Sequence, residues 1–242
     1  MGIQMRNEIF LGCILFISIC SLIPQSVSAA AKDDPLLTKV MIDQFEVRDT
    51  DEDRVAVLEA QAWFGHDINK LWFKTELERF DTDTDEAEVT LLYSRAFYPY
   101  WDVQIGLRKD FQPTPDRTWG VLGFQGLSPY FFEIDTALFL GESGRLALRL
   151  EAEYELMITQ RLVISPELEL NFHAQNDESV GTGSGLSDAE AGLRLRYEIS
   201  REFAPYIGVN WVGAFGHTAD FKRLEGEGRY DSHFVMGIRG WF

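Results

Sequence analysis

Four histidines, His66, His173, His217 and His233, are the groups in this 242-residue chain best suited to a transition metal. Imidazole suits copper, zinc and nickel, and the thioether of Met157 suits Cu(I). No His-x-His or Met-x-x-Met cluster gathers them, so a shared site depends on the fold joining distant segments. Charged side chains form a second set. Arg149, Glu151, Glu153 and Glu155 alternate with apolar residues, as do Glu167 and Glu169, and Arg194 and Arg196. Such ladders neutralise one another inside a narrow polar interior, and an acidic excess there favours cations. Nucleophilic chemistry is poorly served. Ser232 adjoins His233, but adjacent residues on a strand point to opposite faces, so no enzyme is expected. The stretch Asp81–Glu86 begins like a calcium loop, yet it lacks Gly at the sixth position and has Leu92 at the twelfth. It reads as a solvated hairpin tip. Gly181–Gly185 reads as a flexible loop tip, with no strand-to-helix context that would cradle a phosphate.

The elements that must carry these groups are strands. From about Leu37 onward apolar and polar residues alternate in segments of roughly ten, with turn residues between them. Twelve strands are predicted, at 38–48, 53–65, 69–80, 86–98, 101–110, 117–126, 130–140, 145–158, 161–174, 187–199, 204–216 and 228–242. In the eighth, Leu146, Leu148, Leu150 and Ala152 make one face and Arg149, Glu151, Glu153 and Glu155 the other. These lengths match what a tilted strand needs to cross a bilayer. Connections after even strands are short, as at Pro99–Tyr100 and Thr159–Gln160. Those after odd strands are mostly longer and acidic or Gly-rich, as at Ala174–Leu186 and Thr218–Glu227. Short periplasmic turns and longer extracellular loops are the pattern of bacterial barrels. Aromatic residues flank the short turns (Trp63, Phe64, Trp72, Phe97, Tyr100, Trp101), like one girdle at the headgroup level. Phe234, Met236, Ile238, Gly240 and the final Phe242 share one face of the last strand, resembling the handle read by the outer-membrane assembly machinery. The expected fold is all-β: a transmembrane antiparallel up-and-down barrel in outer-membrane lipid of a Gram-negative cell.

The segment ahead of the strands reads as a signal peptide, residues 1–31. Arg6 lies in a short polar stretch, Ile9 to Ile23 is apolar, and Val27-Ser28-Ala29 offers small residues for cleavage. Residues 32–37 are expected as a short periplasmic segment and 38–242 as the barrel. Cys13 and Cys20 are the only cysteines, so cleavage leaves a chain without thiols. A net charge of −17 argues against nucleic acid as a partner and attracts cations.

This topology sets the expected height of the metal candidates. His173 and His217 end strands that rise to the outer mouth, and His233 begins one that descends from it. His217 and His233, on neighbouring strands, are expected to share one ion. His173 lies two strands away from His217, roughly 10 Å, and either it or a nearby carboxylate is expected as a third ligand. Met157 is expected to face the lumen at the opposite end.

Several motifs in order resemble the copper resistance protein B family. They are Glu59-Ala-Gln-Ala-Trp-Phe-Gly-His-Asp-Ile-Asn-Lys-Leu-Trp72, Gly126-Leu-Ser-Pro-Tyr130, Tyr154-Glu-Leu-Met-Ile-Thr-Gln-Arg-Leu162, Pro166 and Pro205-Tyr-Ile-Gly208, and the likeness runs from about Gln44 to Phe242. The resemblance implies an outer-membrane barrel serving copper tolerance together with periplasmic copper-handling proteins, and copper ion as a transported or transiently bound ligand. Many family members carry a Met- and His-rich segment before the barrel. Ala30 to Thr38 contains neither residue, so the resemblance points copper work to the barrel or to a partner. The competing expectation is a small, weakly cation-selective channel without a specific metal site.

Overall fold

The computed structural model describes residues 34–49, 54–80 and 83–242. The expected signal peptide lies outside them. The strands are β1 (Leu37–Asp49), β2 (Arg54–Gly65), β3 (Asn69–Phe80), β4 (Asp83–Tyr98), β5 (Trp101–Gln112), β6 (Arg117–Leu127), β7 (Phe132–Gly141), β8 (Leu146–Tyr154), β9 (Leu156–Met157), β10 (Leu162–His173), β11 (Gly185–Tyr197), β12 (Phe203–Ala214) and β13 (Tyr230–Trp241). Apart from β8 and β9, which both pair with β10, every strand pairs antiparallel with its neighbours in sequence, and β1 pairs with β13. The sheet therefore closes on itself through the β1–β13 seam.

The short β9 continues β8 in the same register against β10, so the ring has twelve strand positions. Pro166 falls opposite the break. It has no N–H to donate, so the ladder is interrupted there.

Alternation sorts the side chains. Leu91, Leu107, Met236 and Phe234 (72% exposed) stand on the outer face, while Gln104 (1% exposed), Glu46, Asn210 and Ser94 are enclosed. An apolar exterior around a polar interior is the arrangement a lipid bilayer demands of a closed barrel. Among the described residues no helix is long and apolar enough to cross a membrane.

Besides the break between β8 and β9, the chain departs from regular strands after β12 and within β1. The eleventh expected strand, 204–216, stops at Ala214, and Gly216–Glu225 forms a helix, α1. Gly216 has φ of +53°, a left-handed turn that ends extended backbone and suits glycine. In β1 the register slips between Ile42 and Gln44 against β2, a bulge at Asp43. Asp43 and Gln44 both line the lumen as a result.

The lumen is packed, with two different walls. Trp72, Leu92, Trp119, Val121, Phe139 and Ala147 form an apolar cluster, with Met41 and Trp63 against it. Gly141 makes room for the Trp119 ring, since a Cβ there would fall 2.5 Å from it. Near the β1–β13 seam the packing is polar. The Glu46 carboxylate accepts from Arg48 Nε (2.9 Å), Arg194 Nε (3.1 Å) and Arg194 Nη2 (3.2 Å). Arg194 Nη2 also donates to Gln44 at 3.0 Å. A buried charge is tolerated only when partnered in this way. Tyr206 reaches the same carboxylate over Gly237, where a Cβ would lie 2.6 Å from its hydroxyl.

Candidate functional site

Inward-facing side chains leave two cavities along the barrel axis. The one nearer the short turns has a volume of about 390 Å³ and is lined by Lys74, Glu133, Asp135, Glu153, Arg196 and Arg239 among others. The one nearer the long loops has a volume of about 570 Å³ and includes Glu86, Arg108, Glu169, His173, Asp188 and His233. Carboxylates outnumber basic groups on the combined lining. Gln44, Glu59, Glu76, Arg149, Glu151 and Glu167 line both cavities and form the waist between them.

The charged ladders pair mainly across the lumen. Arg149 on β8 lies 3.5 Å from Glu76 on β3, with four strands between them one way round and six the other. It also lies 3.5 Å from Glu88 and 3.4 Å from Glu169, donates to Asn171 at 3.2 Å, and sits 6.0 Å from the Phe139 ring. Arg108 covers the same ring at 4.9 Å and pairs with Glu88 and Asp110. Lys74 joins Asp135 at 2.6 Å. Below the waist, Arg239 joins Glu153 (2.9 Å) and Glu155 (3.3 Å), and Arg196 joins Glu155 (2.6 Å). Arg194 holds Glu167 as well as Glu46. Oxygens of Glu76, Glu86 and Glu88 lie within 4.8 Å of one another.

The histidines separate. His173 and His233 line the same outer cavity. His173 Nδ1 is 3.1 Å from the Ser187 hydroxyl, which lies 2.7 Å from an Asp188 oxygen and 3.0 Å from the Asn171 carbonyl. The single hydroxyl proton goes to one of these acceptors, so the histidine Nδ1–H donates to Ser187 and Nε2 keeps its lone pair. His233 Nε2 lies 2.8 Å from an Asp231 oxygen, a close but poorly aligned contact, and among the described residues neither ring nitrogen has a well-formed hydrogen bond. His217 does not stand beside His233 on a neighbouring strand. Because β12 ends early, His217 sits on α1, 58% exposed and 3.6 Å from Asp220, off the cavity wall. Met157 pairs with inward-facing Val163 at the short-turn rim and is 74% exposed. Ser187, Asp231 and Glu76 were not singled out from the sequence. Their role depends on contacts between strands, which alternation alone does not reveal.

Two long connections cover the outer cavity. Asp177, between β10 and β11, binds Arg117 Nη2 at 2.8 Å and Arg145 Nε at 3.0 Å. Thr218 of α1 accepts from the Gly183 amide at 2.8 Å.

The family described as Copper resistance protein B precursor (CopB) matches residues 36–242. Copper resistance protein B of Escherichia coli is 44% identical over 213 residues, covering 88% of this chain and 72% of that protein. A Copper resistance protein B homolog of Pseudomonas syringae pv. tomato is 40% identical over 210 residues, covering 87% of this chain and 71% of the homolog. Among solved structures, the NanC porin superposes with a TM-score of 0.54 at 13% identity, over 84% of this chain and 99% of that one. The KdgM porin in complex with disordered oligogalacturonate gives 0.51 at 14% identity, with the same coverage. These two likenesses concern the fold. The closed barrel with its lipid-facing exterior is an outer-membrane protein, and the chain belongs to the copper resistance protein B family.

Proposed function

We propose that the barrel serves copper resistance by admitting copper ions to its acidic lumen and holding them in the outer cavity at His173 and His233. One observation carries this reading: both imidazoles line one cavity, and each has a carboxylate behind the nitrogen that would not bind metal. A metal-binding histidine usually donates its other N–H to such a partner, directly or through a hydroxyl, which fixes the tautomer and strengthens the free lone pair. Imidazole nitrogen suits copper, and the surrounding carboxylates raise the local concentration of cations. The two histidines are three strands apart, about 14 Å along the wall at the usual spacing. They act as separate stations rather than as one chelate. Met157 offers a thioether to Cu(I) at the periplasmic rim, where copper-handling partners would meet the barrel. The role is one of binding and passage, without catalysis.

Titration of the purified full-length protein with Cu(II) tests this. The His173→Ala, His233→Ala double variant is expected to bind at least about tenfold more weakly. An unchanged isotherm overturns the assignment. It favours the second reading, a weakly cation-selective channel without a metal site, which draws support from the pairing of the lumen's basic groups with only part of its carboxylates.

A further inference from the structure

The waist carries one positive group, Arg149, among the four carboxylates Glu59, Glu76, Glu151 and Glu167. Its guanidinium reaches across the lumen to Glu76 on the far wall. It is steadied from the side by Asn171 and by the face of Phe139. All of its ionic partners, Glu76, Glu88 and Glu169, come from strands that enclose the junction of the two cavities. A guanidinium held this way is a cation fixed to the wall by its own side chain.

We infer that Arg149 is a tethered counter-ion that closes the waist and determines which ions cross it. This rests on the reading of the lumen as a cation path. With Arg149 in place, the waist carboxylates are partly neutralised and the passage is bridged from wall to wall. A mobile cation crosses only by taking over the carboxylates that Arg149 occupies. That exchange favours ions of higher charge, because they replace the guanidinium's attraction most fully. Without Arg149 the two cavities join, and the bare carboxylates select for cations in general.

Single-channel recording in planar bilayers tests the inference, using full-length protein in KCl and then with CaCl2 as a spherical divalent probe. Arg149→Gln is expected to raise KCl conductance at least about twofold, to raise cation-over-anion preference, and to reduce the preference for Ca²⁺ over K⁺. Arg149→Cys provides a charge rescue. A cationic thiol reagent should return its conductance toward the native value, and an anionic reagent should increase cation preference further. Glu76→Gln removes the far anchor but leaves the cation. It is expected to raise conductance while lowering cation preference, and it decides the matter if Arg149→Gln does not fold by heat-modifiable migration. Native-like conductance in a folded Arg149→Gln or Glu76→Gln protein overturns the inference. A native barrel without cation preference instead overturns the cation-path reading, while the conductance change still judges whether Arg149 closes the waist.

Discussion

The Tyr206 hydroxyl donates to Glu46 at 2.8 Å, passing over β13 to join β12 to β1. The bond belongs to a buried knot in which Arg48 and Arg194 share the same carboxylate. It ties the first strand to β11 and β12 at the seam where the barrel closes. Replacing Glu46 by Ala deprives two enclosed guanidinium groups of the counter-charge they share. Removing one partner of a buried pair costs about 3–5 kcal/mol. The variant is expected to unfold from lipid vesicles at a markedly lower urea concentration. A midpoint equal to that of the native protein would show that the seam is held by backbone pairing alone.

The eighth expected strand offers a direct test of facing. Cysteines at Leu148 and Leu150 are expected to be shielded by lipid, and cysteines at Glu153 and Glu155 to react with a small aqueous thiol reagent. The strands contain no cysteine of their own, so in protein lacking residues 1–31 labelling reports only the introduced residue. Equal labelling at the two parities would contradict the assigned interior.

The outer cap should respond to pH through Asp177. Burial pushes this carboxyl up, but hydrogen bonds from Ser179 and Arg117, with the charges of Arg117 and Arg145, outweigh it and hold the group below its ordinary value of 3.8. A carboxyl depressed in the folded state stabilises fully above that ordinary value and ceases to do so as pH falls through the depressed one. The cap is therefore expected to stay docked at pH 5 and to loosen only below about pH 3.8. Asp177→Asn should loosen it at neutral pH. Hydrogen exchange over residues 174–184 measures this, and equal protection in the variant would sink the clamp.

His217 provides a control for the metal assignment. It lies on α1 away from the cavity wall. His217→Ala is expected to leave the Cu(II) isotherm unchanged while the His173 and His233 variants weaken it. A large loss on changing His217 alone would return the site to the loop surface.

The strands were legible because each has a lipid face and a lumen face, and a period of two records that in the sequence, as in Leu146–Glu155. The twelve positions and their short and long connections followed from the same pattern. What escaped depended on space rather than period. The helix at Gly216–Glu225 follows a stretch interrupted by Gly213 and Gly216, where alternation fades. The pairing of Arg149 with Glu76 depends on strand stagger and tilt, which set heights around a barrel. The same holds for the histidines. Strand order put His217 beside His233, but an early stop at Ala214 removed it from the wall.

The bulge in β1 gives Asp43 an unusual standing in the reading frame of the barrel wall. Ile42 opposes Ala60 and Gln44 opposes Glu59, so Asp43 is supernumerary to the ladder with β2. Loss of the single codon for Asp43 would leave Ile42 toward lipid and Gln44, Glu46 and Arg48 inward. Loss of Phe45 instead would bring Gln44 and Glu46 next to each other and turn one stretch of the strand inside out. Asp43, held by Gln61 at 2.6 Å, is thus a lumen carboxylate that could be gained or lost by insertion or deletion without reversing the faces of the wall.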